Sequence, residues 1–181
     1  MADNQKIIFI TGPTGAGKST VSRLLADSID RCANIDVDHI KHFTEFGFDT
    51  DHTAAEYTPY IEWKLVGEAT AKLAELYLSR NCSIIINGYI DESAWNEIRK
   101  TISPTHTFLL LPTLEILKTR DALRNESVQQ GERESERHFK YFSNTAYFKD
   151  FDTFDTSGQS VQETVEMLGI KINSPNDAEE L

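Results

Sequence analysis

The sequence predicts a three-layer α/β/α fold built on a five-stranded, mainly parallel sheet. Three observations predict it: short and almost continuously apolar strands, amphipathic helical segments between them, and a glycine-rich turn after the first strand. Apolar strands of this kind are typical of a sheet covered on both faces, and their alternation with helices indicates βαβ units. The length of 181 residues fits one domain, which we expect over residues 1–172. We expect residues 173–181 to form a disordered acidic tail.

The elements follow one another in a regular order. Strands are predicted over residues 6–11, 33–37, 83–87, 107–111 and 151–156. Helices are predicted over 19–30, from about 38, from 59, over 93–100, over 113–125 and over 131–142. A capping box at Ser160 and Glu163 opens the last helix. We expect that helix to end at Gly169 and to be followed by a strand-like stretch over 169–172.

Charge and composition exclude several classes of protein. The chain has 18 Lys and Arg against 29 Asp and Glu, and its net charge of −11 repels phosphate backbones and anionic lipid. No apolar run approaches the ~20 residues of a membrane-spanning helix, and the N-terminus has no signal-peptide layout. Cys32 and Cys82 lack metal-ligand spacing, so we expect reduced thiols. We therefore expect a cytoplasmic protein that binds neither nucleic acid nor membranes.

The glycine-rich turn carries a complete phosphate-binding motif. Residues 12–19 (GPTGAGKS), called the P-loop below, match G-x-x-x-x-G-K-[ST] between a strand and an amphipathic helix. Glycines allow backbone N–H groups to face phosphate oxygens, and the helix N-terminus presents its positive end to them. We expect Lys18 to reach the β- and γ-phosphates and Ser19 to bind Mg²⁺. The motif predicts a P-loop NTPase fold that binds ATP with Mg²⁺. The nucleotide-binding residues predicted here are Gly12, Pro13, Thr14, Gly15, Ala16, Gly17, Lys18, Ser19 and Thr20.

The remaining motifs argue against GTPase switches and motor ATPases. A D-x-x-G sequence lies at residues 155–158, near the C-terminus, and the chain has no N-K-x-D guanine-binding motif. The third strand ends in Asn87 and Gly88, without the acidic residue that motor ATPases use to activate water. These features favour a kinase over the other classes of P-loop protein.

Two carboxylates, Asp36 and Asp38, follow the second strand. Ligands of parallel sheets bind at the carboxyl ends of the strands. If the strand continues, side chains two residues apart point the same way and reach one site. One carboxylate beside the metal and one beside an acceptor hydroxyl suit phosphoryl transfer to an alcohol. The alternative is that Asp38 caps the next helix and Asp36 is a solvated strand end.

A basic segment follows the fourth strand. Six of the 18 Lys and Arg lie within residues 118–140, and Arg120 and Arg124 are four residues apart on one helix face. We expect a lid over about 118–142 that closes over the triphosphate, with Arg120 and Arg124 stabilising charge on the transferred group. The alternative is a solvated helix with interleaved ion pairs.

The P-loop and the strand–D-x-D–helix unit resemble the small-molecule kinases of the shikimate kinase, gluconate kinase and chloramphenicol phosphotransferase group. The similarity covers most of the chain, including the basic lid and the D-T-S-G loop before the last helix. It implies that Asp36 holds Mg²⁺ and that Asp38 orients or deprotonates the acceptor hydroxyl. It also implies that the loop over 155–160, with Ser157, packs on the adenine. The sequence departs from the group at Asn87, where many relatives have aspartate, and lacks the Gly-Gly-Gly of shikimate kinases after that strand.

The segment over residues 34–60 predicts the nature of the acceptor. It contains six acids, one lysine and no arginine, interspersed with Phe43, Phe46, Phe48, Tyr57 and Tyr60. Kinases of anionic acceptors need arginines there to hold the anion. We therefore expect an ATP-dependent phosphotransferase that acts on a hydroxyl of a small neutral or cationic molecule. The alternatives are a nucleotide or polynucleotide 5′-hydroxyl kinase, and an ATPase module without a small-molecule acceptor.

Overall fold

The structure is a computed structural model that describes residues 5–43 and 59–174. One sheet is formed by β1 (Ile7–Thr11), β2 (Cys32–Asp36), β3 (Ser83–Asn87), β4 (His106–Leu110) and β5 (Asp152–Phe154). The strand order is β2-β3-β1-β4-β5, and every pairing is parallel. The predicted α/β fold with a five-stranded sheet is confirmed, and the predicted "mainly parallel" character extends to all strand pairs.

Seven α-helices are described around the sheet. They are α1 (Lys18–Asp27), α2 (Val37–Lys41), α3 (Pro59–Leu78), α4 (Glu92–Arg99), α5 (Leu114–Ala122), α6 (Glu132–Asn144) and α7 (Val161–Asn173). Two 3₁₀ turns, Glu126–Val128 and Ala146–Phe148, flank α6. One or two helices connect each strand to the next along the chain, as a parallel sheet requires.

The last helix begins as predicted but ends later. The Ser160–Glu163 capping box is present at its N-terminus. The helix continues through Gly169 to Asn173, so the predicted end at Gly169 and the strand-like stretch over 169–172 are wrong. Leu168 and Ile172, four residues apart, are buried in the core. Their burial outweighs the cost of about 1 kcal/mol for a helical glycine. Of the predicted tail, residues 175–181 lie outside the described residues.

The sheet carries an apolar layer on each face. In β1, Ile8 and Ile10 pack with α1 and α7, whereas Ile7 and Phe9 pack with α3 and α4 on the opposite face. All five residues of β1 are buried. Burial on both faces explains the continuous apolar runs from which the strands were predicted. The two layers hold the strands rigidly enough to position the loops at their carboxyl ends.

The carboxyl ends of β1, β2 and β3 meet at one edge. Asn87 at the end of β3 pairs in register with both Asp36 of β2 and Ile10 of β1. Gly12 then turns the chain away from β1 so closely to β4 that an added Cβ would lie 2.2 Å from the Leu110 carbonyl oxygen. Only glycine fits at this position. The P-loop therefore leaves the sheet directly above the neighbouring strand ends.

Within residues 5–43 and 59–174, no helix is both long enough and apolar enough to cross a lipid bilayer.

Substitution by alanine should have opposite effects on stability at two helical glycines. A Cβ on Gly67 of α3 would lie 2.5 Å from the Ala94 carbonyl oxygen of α4, whereas one on Gly169 of α7 would meet nothing within 4 Å. Gly67→Ala should therefore lower the free energy of unfolding by about 2 kcal/mol through forced separation of α3 and α4. Gly169→Ala should raise it by about 0.5–1 kcal/mol, since alanine favours the helix. Urea unfolding of both variants measures this, and equal effects would contradict the described α3–α4 packing.

Candidate functional site

The P-loop folds around the ammonium group of Lys18. Gly15 and Gly17 take left-handed φ angles of 86° and 94°, and Gly17 stands as the N-cap of α1. Lys18 is 7% exposed, and its Nζ donates a hydrogen bond to the Pro13 carbonyl oxygen at 3.0 Å. Burial lowers the pKa of Lys18 to about 8, although the nearby charges of Asp38 and Asp36 act to raise it. At neutral pH the ammonium is still predominantly charged, so the loop combines a buried cation with the N-terminus of a helix.

The end of β2 places one carboxylate against the P-loop. Ser19 Oγ donates to Asp36 Oδ2 at 3.3 Å, and Asp36 Oδ1 accepts from the Asp38 backbone N–H at 3.0 Å. The second contact makes Asp36 the N-cap of α2. The strand thus ends at Asp36 and does not continue to Asp38, which lies in the first helical turn.

This geometry corrects two expectations about the D-x-D pair. Asp36, not Asp38, caps the helix, so the alternative interpretation assigned the cap to the wrong residue. The two side chains also do not share a strand face, because the backbone turns into α2 between them. Both carboxylates nevertheless lie close enough to Lys18 for their charges to act on its pKa. The structure therefore brings them to the same site by a different local conformation.

Asn87 lies in a buried polar network beneath α1. Its side-chain Nδ2 donates to Asn34 Oδ1 at 3.0 Å and to the Ile35 carbonyl oxygen at 3.3 Å. Asn34 in turn donates to Ser22 Oγ at 3.3 Å, and Ser22 Oγ donates to the Ser19 carbonyl oxygen at 3.2 Å. A carboxylate at position 87 could donate to neither of its acceptors. The amide at position 87 therefore satisfies two acceptors that the aspartate expected from the family resemblance could not. Asn87 Oδ1 is buried without a hydrogen-bond partner within the described part of the chain.

Arg120 links the P-loop to the loop over residues 155–160. Its guanidinium donates to the Thr156 carbonyl oxygen at 2.8 Å and makes longer contacts of 3.5 Å with Gly15 O and Thr156 Oγ1. Ser157 in that loop accepts a hydrogen bond from the Thr113 backbone N–H at 2.7 Å and donates to Asp155. Arg120 therefore contacts the P-loop directly, and Ser157 lies in the loop that Arg120 joins to it.

Arg124 is held by a buried carboxylate. Asp121 is 5% exposed and accepts hydrogen bonds from the backbone N–H groups of Gln130 and Gly131 at 3.0 and 2.8 Å. It also contacts Arg124 Nη1 at 3.5 Å. Burial raises the pKa of Asp121, but these hydrogen bonds and the Arg124 charge outweigh it and lower the pKa below its ordinary value. Asp121 thus joins the end of α5, the start of α6 and Arg124, whose charge in turn reaches Lys18.

Four of the six basic residues of the predicted lid fall into two groups. Lys118 pairs with Glu132 and Glu136 at 3.3 and 2.6 Å, and Arg137 pairs with Glu134 at 2.6 Å. These are the interleaved surface ion pairs of the alternative interpretation. Arg120 and Arg124 instead lie on the P-loop side, as the contact of Arg120 with Gly15 and the influence of Arg124 on Lys18 indicate.

A group of aromatic residues beside the site was not predicted to be functional. Tyr89 follows the end of β3, and its ring packs against His138 of α6 at a centroid distance of 4.8 Å. His138 is 7% exposed, and burial with the charges of Arg137, Lys18 and Lys41 lowers its pKa to about 4. The position of Tyr89 directly after a predicted strand could have marked it as a candidate from the sequence. No such signal marks His138, which is one of many polar residues on a charged helix.

The predicted acceptor segment is described only in part. Phe43 is 81% exposed. Phe46, Phe48 and Tyr57, with the acids Glu45, Asp49, Asp51 and Glu56, lie outside the described residues. Among the residues described, no group of three or more His, Cys, Asp or Glu side chains has the arrangement of a metal site. The oxygen ligands that could hold Mg²⁺ are instead Ser19 Oγ and the Asp36 carboxylate.

The buried imidazole of His138 predicts a pH dependence of stability. Its folded pKa of about 4 lies below the ordinary 6.5, so the fold favours the neutral ring. The stabilising contribution is therefore complete above about pH 6.5 and is lost as the pH falls from 6.5 toward 4. Over this pH interval the free energy of unfolding should fall less in His138→Gln than in the wild type. The difference should be on the order of 1–2 kcal/mol. Urea unfolding at several pH values measures this, with the exposed His39→Gln as control. The same pH slope in all three proteins would contradict it.

Solved structures share the architecture over almost the whole chain. A shikimate kinase from Acinetobacter baumannii in complex with shikimate matches with a TM-score of 0.65 and 17% identity, covering 94% of each chain. The tunicamycin resistance protein of Deinococcus radiodurans matches at 0.65 and 18%, covering 95% of this chain and 98% of its own. A sugar kinase from Janibacter matches at 0.70 and 14%, covering 93% and 94%. At these identities the likeness shows the fold, which is that of the small P-loop kinases.

Sequence comparison gives the family. No curated protein matches the chain. The family model described as Zeta toxin matches residues 2–101, which is more than half of the chain. The matched part contains the P-loop, the Asp36–Asp38 pair and the end of β3. The chain, with its P-loop kinase fold, therefore belongs to the zeta toxin family.

Proposed function

We propose that this protein is an ATP-dependent kinase that transfers the γ-phosphoryl group to a hydroxyl of a small neutral or cationic molecule. The observation that carries the proposal is the convergence of Lys18, Ser19 and the two carboxylates Asp36 and Asp38 at one edge of the sheet. A buried cation and a helix N-terminus suit a polyphosphate, whereas paired carboxylates suit a metal and an attacking hydroxyl. The phosphate-binding part of the site and its carboxylates are in contact through Ser19 and Asp36.

The P-loop would bind the phosphates of ATP. Backbone N–H groups of the P-loop and of the start of α1 would donate to the phosphate oxygens, except at Pro13, which has no N–H, and at Ala16, whose N–H donates to the Pro13 carbonyl oxygen. Lys18 would neutralise charge on the β- and γ-phosphates. Arg120 and Ser157 support the loop over 155–160 at the position where the nucleoside would extend from the P-loop. These contacts make the nucleotide-binding side of the site.

Ser19 and Asp36 fit Mg²⁺ as a donor set. Their oxygens lie 3.3 Å apart, and hydroxyl and carboxylate oxygens are the ligands that Mg²⁺ prefers. When bound with ATP, Mg²⁺ would supply charge neutralisation and orientation of the phosphates. The cap that Asp36 makes on α2 fixes one of its oxygens and leaves the other directed at Ser19.

Asp38 would act on the acceptor. Its backbone N–H is used by the Asp36 cap, while its side chain forms no hydrogen bond with the described residues. The carboxylate would accept the proton of the acceptor hydroxyl as the oxygen bonds to the γ-phosphorus and ADP leaves. Arg124, held by Asp121, would stabilise the charge on the transferred group. Structural relatives that include a shikimate kinase solved with shikimate and a sugar kinase support a small-molecule acceptor.

The first prediction of the proposed function concerns the Lys18 charge. Lys18→Ala and the larger Lys18→Met both remove the ammonium, and each should lower phosphoryl transfer at least about 100-fold. The fold should survive, because the ammonium is costly to bury and its removal relieves that cost. Thermal unfolding and ADP production measure the two effects. Unchanged turnover of ATP in either folded variant would contradict the assignment of the P-loop.

The second prediction separates Asp36 from Asp38. Asp38→Asn should lower transfer by about 100-fold or more with ATP affinity nearly unchanged, as expected for loss of a general base. Asp36→Asn should instead raise the Mg²⁺ concentration needed for half-maximal activity. Asparagine still caps helices well, so α2 should be retained in that variant. If the two variants showed identical Mg²⁺ dependence, or if Asp38→Asn lowered only the thermal stability, structural roles for Asp36 and Asp38 would be favoured.

The third prediction concerns acceptor charge. Because residues 34–60 carry six acids and one lysine, anionic acceptors should be repelled by several kcal/mol. AMP, CMP, UMP, shikimate and 5′-hydroxyl oligonucleotides should all be poor acceptors, and neutral or amine-bearing alcohols should be preferred. A coupled ADP-release assay with ATP and Mg²⁺ measures the series. Efficient phosphorylation of a nucleoside monophosphate would refute this part of the proposal.

A further inference from the structure

Arg124 is the one partly buried residue of an otherwise exposed loop. The loop over residues 122–130 joins α5 to α6, and each of its residues except Arg124 is exposed. The Arg124 N–H donates to the Asp121 carbonyl oxygen at 3.0 Å, so the chain keeps a helical course beyond the end of α5. Arg124 thereby lies one turn after Arg120 on one helix face, and Arg120 contacts the Gly15 carbonyl oxygen at 3.5 Å. The backbone therefore places Arg124 on the side of α5 that meets the P-loop.

Side chains at both ends of this loop fix the position of Arg124. Asp121 immediately precedes the loop, is 5% exposed, and contacts Arg124 Nη1 through its Oδ1 at 3.5 Å. Gln129 lies near the other end of the loop, and its Nε2 donates to the Arg124 carbonyl oxygen at 2.9 Å. Among the described residues, Asp121 is the only hydrogen-bond or ion-pair partner of the Arg124 guanidinium. A guanidinium has five N–H donors, so one contact with Asp121 leaves others for an anionic ligand.

The same carboxylate supports the start of α6. Gly131 is the N-cap residue of α6 and provides no side chain to cap the helix. Asp121 Oδ2 instead accepts hydrogen bonds from the N–H groups of Gln130 and Gly131 at 3.0 and 2.8 Å. A negative charge at a helix N-terminus is favourable, so these contacts stabilise the α5–α6 junction. Because these backbone donors do not depend on Arg124, Asp121 stays paired while the arginine binds a ligand.

Resting on the proposed kinase function, we propose that Asp121 is a positioning residue that holds Arg124 ready for the transferred phosphoryl group before the nucleotide binds. Charge on that group is stabilised best by donors that need no rearrangement during the reaction. An arginine on an exposed loop would otherwise lose side-chain freedom on contacting the phosphoryl group, and the contact with Asp121 removes part of that cost in advance. Asp121 itself acts only through Arg124 and touches neither ATP nor the acceptor.

Aluminium fluoride with ADP and Mg²⁺ tests the proposal, because this complex mimics a phosphoryl group in transfer and binds without turnover. Titration calorimetry of the full chain gives the ratio of the Kd of ADP without aluminium fluoride to the Kd with it. Asp121→Asn should lower this ratio about tenfold and change the Kd of ADP alone less than about twofold. In Arg124→Ala, which already lacks the guanidinium, adding Asp121→Asn should lower the ratio no further. An equal loss in both backgrounds, or a wild-type ratio of one, would overturn the proposal.

Thermal unfolding of the same variants separates the structural contribution of Asp121. Asp121→Asn should lower the melting temperature equally with and without Arg124, because the start of α6 does not depend on the arginine. If Asp121→Asn does not fold, Asp121→Ser takes its place with a smaller capping group and the same expected Kd ratios. Glu126→Gln is the matched control, since Glu126 is an exposed acid of the same loop whose side chain contacts no described residue. A fall in the Kd ratio as large in Glu126→Gln as in Asp121→Asn would contradict the proposal.

Product analysis with ATP and alcohols separates this inference from the kinase assignment. A Kd ratio that depends on Asp121 only when Arg124 is present, together with no phosphorylated alcohol, would support the positioning role and contradict the kinase function. Phosphorylation of an alcohol, together with a Kd ratio that Asp121→Asn leaves unchanged, would support the kinase and contradict the positioning role.

Discussion

The burial of the Lys18 ammonium is the constraint around which the site is built. A charge taken out of water is costly unless nearby groups compensate it. Here the Pro13 carbonyl oxygen accepts one hydrogen bond, and the carboxylates of Asp36 and Asp38 supply opposite charge. The start of α1 adds further positive potential at the same place. The loop therefore directs a buried cation and a helix N-terminus toward the place where an anionic ligand would bind, with the two carboxylates beside it.

The sheet makes this arrangement possible. Parallel strands bring their carboxyl ends to one edge, so β1 delivers the P-loop while β2 delivers Asp36 directly beside it. Gly12 permits the close approach of the loop to β4, and Asn87 satisfies polar groups under α1 that an acid could not. The geometry of the loop thus depends on the contacts beneath it.

Local patterns predicted much of this from the sequence. The P-loop, the five strands and the Ser160 capping box depend on neighbours within a few residues, and all are present. The predicted end of α7 was wrong because the burial of Leu168 and Ile172 is a tertiary effect that a local pattern does not show. The role of Asp36 as a helix cap was not predicted, because it depends on the residue at which β2 ends. Hydrophobic periodicity does not determine that end to within one or two residues. The contacts among Trp63, Tyr89 and Tyr141 escaped prediction because these rings come from α3, the loop after β3 and α6, which are distant parts of the chain.

Transfer of the phosphoryl group, as opposed to its release to water, is the central claim. Phosphorus NMR of the full chain with ATP, Mg²⁺ and a mixture of neutral and amine-bearing alcohols follows all phosphorus-containing products in one sample. Phosphoryl transfer to an alcohol should give a new phosphomonoester signal that grows in equal amount with ADP. Formation of ADP with inorganic phosphate alone would identify an ATPase module and contradict the account.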